Sequence, residues 1–391
     1  MDLSFLLSVI AGAWWLIAVA LFLFSICGTF LQPVLQRRRA TRRDGPPVSI
    51  VVPIKLLHSG FGAAQSSIFR QTYPSLEVLV SAAETCSPAL AVMEEIKRRY
   101  PAVAACILYS GATIAASPKL NNLHAPFEEA HCDFVFMKDS NITLDPDTIE
   151  TFMENFVEGV GLVVAVPIAV RPETFAGHIE AFLINGHARL LLTASALGFG
   201  FGIGKIMLFR RSDLARAGGI DAMAHTVGED SAFSKGMAKL GLKTVFAHRA
   251  VQQEIGLRTL REIYDRQMRW SVIRRVEEPL SFPLEPLSSP LPAALAAAIA
   301  APLVAQPAWF ALLATLGLWC MAEMAVSRWK GWGLSVWMPA AFLGRELLSL
   351  FVWCRAWTTN QVAWANHRFD VNGGQGGSAC QRPAERTHAS Q

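Results

Sequence analysis

The chain has 391 residues, of which 52% are hydrophobic and 17% charged, too long for one ordinary domain and too apolar for a wholly water-soluble or disordered protein. Thirty-five Lys and Arg against thirty-one Asp and Glu leave a net charge of +4, far short of the basic excess of a dedicated nucleic-acid binder, so no nucleic acid is expected as a partner. Seven scattered cysteines without a C-x-x-C pair point to neither a zinc cluster nor a disulfide scaffold, and to a reducing compartment.

From Leu3 to Leu35 no residue is charged, a run longer than the roughly 20 residues that cross a bilayer. The chain begins Met1-Asp2, and Arg37, Arg38, Arg39, Arg42 and Arg43 follow the apolar run. That pattern belongs to an uncleaved anchor and not to a secretory signal. The positive-inside rule then places the N-terminus outside and residues after 37 in the cytoplasm, at the inner membrane if the source is bacterial. Residues 1–36 are the expected anchor.

Residues 37–285 alternate short β-branched runs with helical patterns. Strands are expected at 48–54, 76–82, 133–139, 161–170 and 243–248, and helices at 62–71, 88–99, 119–130 and 146–158. This alternation predicts an α/β fold, a mostly parallel sheet with helices on both faces and its ligand at the carboxyl ends of the strands.

A second uncharged stretch, Pro286 to Ala322, is broken by Pro302 and Gln306-Pro307 and reads as two membrane helices joined by a short turn. Arg328 and Lys330 after it suit a return to the cytoplasm. Trp332 to Trp357 is also apolar but carries Arg345 and Glu346, charges that need a partner or a cavity at bilayer depth. Residues 286–357 are therefore expected as transmembrane or interfacial helices, and 358–391 as a polar tail, frayed after about 372.

Three places offer chemistry. The strand at 133–139 ends in Asp139, where an α/β ligand site is expected; a hard cation bound to a diphosphate needs only one or two protein carboxylates, although a lone strand-end Asp is more often structural. Asp145-Pro146-Asp147 reads as a helix cap with Pro at the first helical position. Asp230, at the start of another helical pattern, suits a general base as well as it suits an N-cap. Arg266 and Arg269 are three apart on one helical face with Trp270 beside them, able to reach one anionic group such as a diphosphate, although such a basic run taken alone is more often a flank on anionic lipid.

Together, Lys119-Leu-Asn121-Asn122-Leu, Asp139-Ser-Asn, Gly204 to Arg211 before Gly218-Gly219, Glu229-Asp230 and Arg266-x-x-Arg269-Trp270 resemble, in content and order, the ceramide glucosyltransferase family over Val48 to about Val371. The resemblance implies a GT-A (nucleotide-diphospho-sugar transferase) domain with N- and C-terminal membrane helices. It implies Asp139 as the D2 aspartate, binding Mg²⁺ or Mn²⁺ and the donor diphosphate, and Asp230 as the D3 general base. It also implies Arg266, Arg269 and Trp270 as the RxxRW set on that diphosphate, with Lys119 and Asn122 near the donor. His187 falls where the family also has a His, on the acceptor side or simply packed. Two positions depart from the family pattern: Glu84 stands for the D1 aspartate that contacts uridine, and Val52 stands where a Lys often precedes Pro53.

The reaction so implied is inverting transfer of a hexose, glucose first, from a UDP-sugar to the primary hydroxyl of ceramide at the bilayer. Diacylglycerol offers a similar hydroxyl. A processive polysaccharide synthase shares the motifs but needs more spans, and a silent nucleotide- or lipid-binding protein is the non-enzymatic alternative.

Overall fold

The computed structural model describes residues 2–36, 45–115, 117–224, 229–364 and 367–370. The arginine cluster at 37–43 and the tail from 371 lie outside these. Helix α1 (Leu3–Leu35) has 33 residues and no charged side chain, making about 50 Å of helix against a hydrocarbon layer of about 30 Å. Its first half packs in a membrane bundle: Ser8 Oγ donates to Ile299 O at 2.9 Å, Trp15 Nε1 to Thr315 Oγ1 at 3.2 Å, and Phe22 stacks on Trp319. Its last turns leave the bundle and bond to the α/β region, Gln32 Nε2 donating to Ala247 O at 3.0 Å.

That region runs β1 (Val48–Ile54), α2 (Phe61–Ser66), β2 (Leu76–Ala82), α3 (Pro88–Arg99), β3 (Ala104–Tyr109), α4 (Pro118–Glu129), β4 (Phe134–Lys138), β5 (Ile142–Thr143), α5 (Thr148–Asn155), β6 (Val160–Val164), β7 (Pro167–Pro172) and α6 (Phe175–Ala196). It continues with β8 (Ile206–Arg210), α7 (Arg211–Arg216), α8 (Gly219–Ala224), α9 (Glu229–Lys239), β9 (Lys243–Phe246), β10 (Val251–Gly256) and α10 (Leu260–Glu277). Seven strands form one sheet in the order β3-β2-β1-β4-β8-β6-β9, parallel except for β8, which runs antiparallel to both neighbours. Alternation along each strand feeds two cores. Ile50, Val52 and Phe136 face Phe61, Met93 and Phe152 on one side, while Val51, Met137 and Phe209 face Leu120, Leu123 and Phe233 on the other. Because β1–β3 build outward in one direction and β4 in the other, the order reverses between β1 and β4, the place where ligands of open α/β sheets bind, at the carboxyl ends.

Some expectations change. The run expected as one strand at 161–170 bends into β6 and β7, and β7 joins a second sheet, β5-β10-β7; each half is buried, so the apolar run is continuous across the bend. The helix expected from 146 starts at Thr148, and Asp147 at its cap makes no side-chain cap bond but pairs with Arg249 at 2.6 Å. The helix expected over 62–71 stops at Ser66.

Beyond α10, a 3₁₀ segment (Phe282–Ser288) leads to α11 (Pro290–Ala300) and a further 3₁₀ turn to Val304. The chain then reverses at Ala305, whose φ is 52°, into α12 (Ala308–Lys330). The expected hairpin is therefore present. Among the described residues two helices, α1 and α12, are long and apolar enough to cross a membrane; the first arm of the hairpin, α11, has only 11 residues and adjoins the 3₁₀ segment with a 65° bend. Helix α13 (Met338–Ala356) buries Arg345 and Glu346, and both find partners: Arg345 Nη1 reaches Glu323 at 2.7 Å and its Nε reaches Glu346 at 2.8 Å. The stretch expected as a polar tail begins instead with a hairpin, β11 (Gln361–Trp364) and β12 (His367–Asp370), with β11 against α10.

Candidate active site

Asp139 follows β4 at the reversal point between β1 and β4, so the sheet itself places its carboxylate at the end where a ligand is expected. Lys119, in the first turn of α4, donates to Oδ1 at 2.8 Å, and Lys205, just before β8, donates to Oδ2 at 2.8 Å. Burial alone would raise the Asp139 pKa, but the two ammonium groups outweigh it and hold the carboxyl at about 2. Behind it, Lys138 is fully buried; desolvation lowers its pKa to about 7 although Asp139 and Glu254 pull the other way.

Asp230 lies in the first turn of α9. Its Oδ2 accepts the Gly204 N–H at 3.0 Å and its Oδ1 the Ser231 N–H at 2.9 Å. Lys119 Nζ also donates to Gly204 O. Asp139, Lys119, Gly204 and Asp230 thus form one hydrogen-bonded chain, which holds the two carboxylates within about 12 Å of each other. Glycine is needed in this loop for space: a Cβ on Gly202 would lie 1.8 Å from Asp230 O.

Helix α10 closes the site along one side. Thr259 and Glu262 cap it reciprocally in a capping box. Arg266 and Arg258 both pair with Glu180 of α6, Arg258 at 3.0 Å, and Glu180 is completely buried. Burial lowers the proton affinity of Arg266, while Glu180 and, farther off, Asp139 favour its charge. At the other end of α10, burial raises the Glu277 pKa, Lys235 at 4.0 Å opposes this and Asp230 adds to it. The helix therefore runs past both carboxylates. Arg269 and Trp270 sit half-buried on its next turn.

The remaining expected residues divide. Asn122 is buried and ties two strand ends together, its Nδ2 donating to Ile54 O at 3.0 Å and Ser81 O at 3.1 Å. Glu84 lies just beyond β2, exposed. Val52 packs in the core and Lys55 is exposed at the end of β1. His187 on α6 keeps some contact with solvent although protein crowds round it, and its Nδ1 lies 2.9 Å from Leu183 O; that crowding first, then Arg274, lowers its pKa. It belongs to the neighbourhood of Arg274 and Glu285, which pair at 2.7 Å.

Sequence reasoning missed Lys205, Glu180 and the glycine loop. A signal was present for the loop and its lysine, since glycine occupies 198, 200, 202 and 204 directly before Lys205. Glu180 stands as a lone acid in the apolar helix FAGHIEAFL.

Asp139 pairs with two cations, Lys119 and Lys205, and Glu180 with two more, Arg258 and Arg266; two cations to each of these carboxylates suit a multiply charged anion. Among the described residues no three His, Cys, Asp or Glu side chains gather as a metal cage. A divalent cation bound to a diphosphate needs only one or two protein carboxylates, and Asp139, held here by Lys119 and Lys205, is the carboxylate at this end of the sheet that could offer one.

The chain is similar to known proteins over most of its length. Ceramide glucosyltransferase 1 of Caenorhabditis elegans is 25% identical over 343 residues, covering 84% of this chain and 72% of the relative. The ceramide glucosyltransferase of Komagataella phaffii is 25% identical over 237 residues, 54% of this chain and 46% of its own. Among solved structures, the mannosyltransferase PcManGT from Pyrobaculum calidifontis, in complex with GDP-Man and Mn²⁺, is similar at a TM-score of 0.49 and 17% identity over 86% of this chain and 99% of that one. The pattern of the family described as "Glycosyl transferase family 21" matches residues 12–376. The chain belongs to that family: it is a glycosyltransferase whose α/β region is joined, among the described residues, to two helices long and apolar enough to cross a membrane.

Proposed function

We propose that the protein transfers glucose from UDP-glucose to the primary hydroxyl of ceramide, with inversion at the anomeric carbon. The observation that carries this reading is the bonded chain from Asp139 through Lys119 and Gly204 to Asp230, flanked by Arg266. It sets a cation-rich diphosphate site beside a carboxylate that can take a proton. Two relatives that act on ceramide by name supply the acceptor.

In the mechanism, Lys119, Lys205 and Arg266, with Arg269 on the next turn, bind the donor diphosphate and stabilise the charge that develops on it as the glycosidic bond breaks. Asp230, oriented by the N–H groups of Gly204 and Ser231, accepts the proton of the attacking hydroxyl. Glu84 lies where the uracil end of the donor would rest. Trp270 closes the site against the membrane side, and Asn122 holds the floor by fixing the ends of β1 and β2. His187, beside Arg274 and Glu285, lies on the acceptor approach. Asp139 would hold Mg²⁺ or Mn²⁺, which supplies further neutralisation of the leaving diphosphate. Lys330 Nζ donates to Thr29 O at 3.1 Å, so α1 and α12 end on the same side with Arg328 and Lys330 there. By the positive-inside rule that side, with residues 37–285, is cytoplasmic.

The test uses purified full-length protein in nanodiscs with radiolabelled UDP-glucose and either ceramide or diacylglycerol. Label in glucosylceramide is expected. Label in glycosyl-diacylglycerol alone overturns the acceptor, and UDP binding without transfer to either lipid overturns the enzymatic reading.

A further inference from the structure

Between α6 and β8 the chain reads Leu197-Gly-Phe199-Gly-Phe201-Gly-Ile203-Gly204. Large apolar side chains and glycines alternate, and the apolar ones face outward: Leu197 is 57% exposed, Phe199 65% and Phe201 39%. Single exposed apolar residues need no explanation, but three at alternate positions of one loop form a ridge whose contact with water is unfavourable. The ridge is rigid. A Cβ on Gly200 would lie 1.8 Å from Thr244 O, and one on Gly202 1.8 Å from Asp230 O, so at both positions the backbone presses directly on its neighbours. Phe201 packs edge-on against Phe246 with centroids 5.2 Å apart.

Both ends of the ridge are anchored to places that matter. At its start, Ser195 accepts from α1, its Oγ from Gln32 Nε2 at 3.1 Å and its carbonyl from Gln36 Nε2 at 2.6 Å. This is where the membrane helix meets the α/β region. At its end, the Gly204 N–H bonds the Asp230 carboxylate. A stationary apolar track thus leads from the root of the membrane anchor to the proposed base.

We propose that this ridge supports the hydrocarbon of the lipid acceptor, with Leu197 and Phe199 against the chain, while its hydroxyl reaches Asp230. The inference rests on the lipid-acceptor reading above and adds residues that select for chain length. A hydrocarbon occupant is favoured because the exposed side chains are apolar and uncharged, and because the track starts at the bilayer anchor.

The experiment compares wild type with the double variant Leu197→Ser, Phe199→Ser in nanodiscs, using long-chain ceramide and a water-soluble short-chain analogue. Both side chains are exposed, so their loss should spare folding, which a melting curve checks. Losing these contacts should raise KM for long-chain ceramide about tenfold. The kcat, the KM for UDP-glucose and the KM for the short-chain analogue should stay at wild-type values, and Phe199→Met with Leu197 intact should behave as wild type. An unchanged KM for the long-chain lipid, or an equal loss on both acceptors, overturns the ridge while leaving the ceramide reading intact. If wild type transfers to neither lipid, the acceptor reading falls and takes the ridge with it.

Discussion

Helix α6 contributes to two clusters of charge that serve opposite ends. Glu180 near its start pairs with Arg258 and Arg266, just as Asp139 pairs with Lys119 and Lys205, so each of these carboxylates has two cations. Arg189, farther along, joins Glu323, Arg345 and Glu346 at the seam with α12 and α13, all buried, two of each sign. Glu346 there also accepts the Leu291 N–H of α11 at 3.0 Å. A neutral, closed cluster fixes how helices meet. A cationic, open one has charge left over for a ligand, and this contrast marks which of the two is the site.

The contrast can be broken from either side. Removing one member of the closed cluster, Arg345→Met, leaves Glu346 buried without a guanidinium and Glu323 with Arg189 alone, and should cost about 3–5 kcal/mol of stability. Thermal unfolding in detergent checks this, and turnover per folded molecule should not change. Gly202→Ala drives a methyl into the Asp230 backbone, so kcat should fall up to about 100-fold through misplacement of the carboxylate, with UDP affinity retained; steady-state kinetics and UDP titration separate the two.

Lys205→Met sharpens the comparison through pH. Asp139 titrates at about 2 in the folded chain against about 3.9 unfolded, so its contribution to stability is complete above the unfolded value and is lost as pH falls through about 2. Without Lys205 the folded pKa rises and that window narrows. Acid unfolding followed by circular dichroism should therefore begin at a higher pH than in wild type, the difference amounting to about 1.4 kcal/mol for each unit of pKa recovered. Glu84→Gln should be mildest. An exposed carboxylate that meets only the donor's far end should change the KM for UDP-glucose about 2- to 10-fold, the worth of one hydrogen bond, and leave kcat alone.

Local pattern revealed the strands β1, β2 and β4, the helices α3 and α4, and the membrane runs, because each is written in consecutive residues with a clear period. Asp139 and Asp230 were legible for the same reason, each at the end of a marked element. What stayed hidden depends on contacts between distant segments. The bend between β6 and β7 leaves no polar gap in the sequence, and Lys205 gains meaning only when β8 inserts antiparallel beside β4. Glu180 is an unremarkable acid until α6 is laid against α10. Asn122 was placed near the donor by motif, whereas its bonds to Ile54 and Ser81 show it joining strand ends, a distinction that no motif encodes.

The central claim is that Asp139 and Asp230 act on opposite halves of one reaction, and a paired measurement tests it most directly: UDP affinity and glucosyl transfer for Asp139→Asn and Asp230→Asn in the same nanodisc preparation. The account predicts that Asp230→Asn binds UDP as wild type does but transfers about 100- to 10,000-fold more slowly, whereas Asp139→Asn loses divalent-cation-dependent UDP binding. Normal transfer by Asp230→Asn, or undisturbed cation-dependent UDP binding by Asp139→Asn, would contradict it.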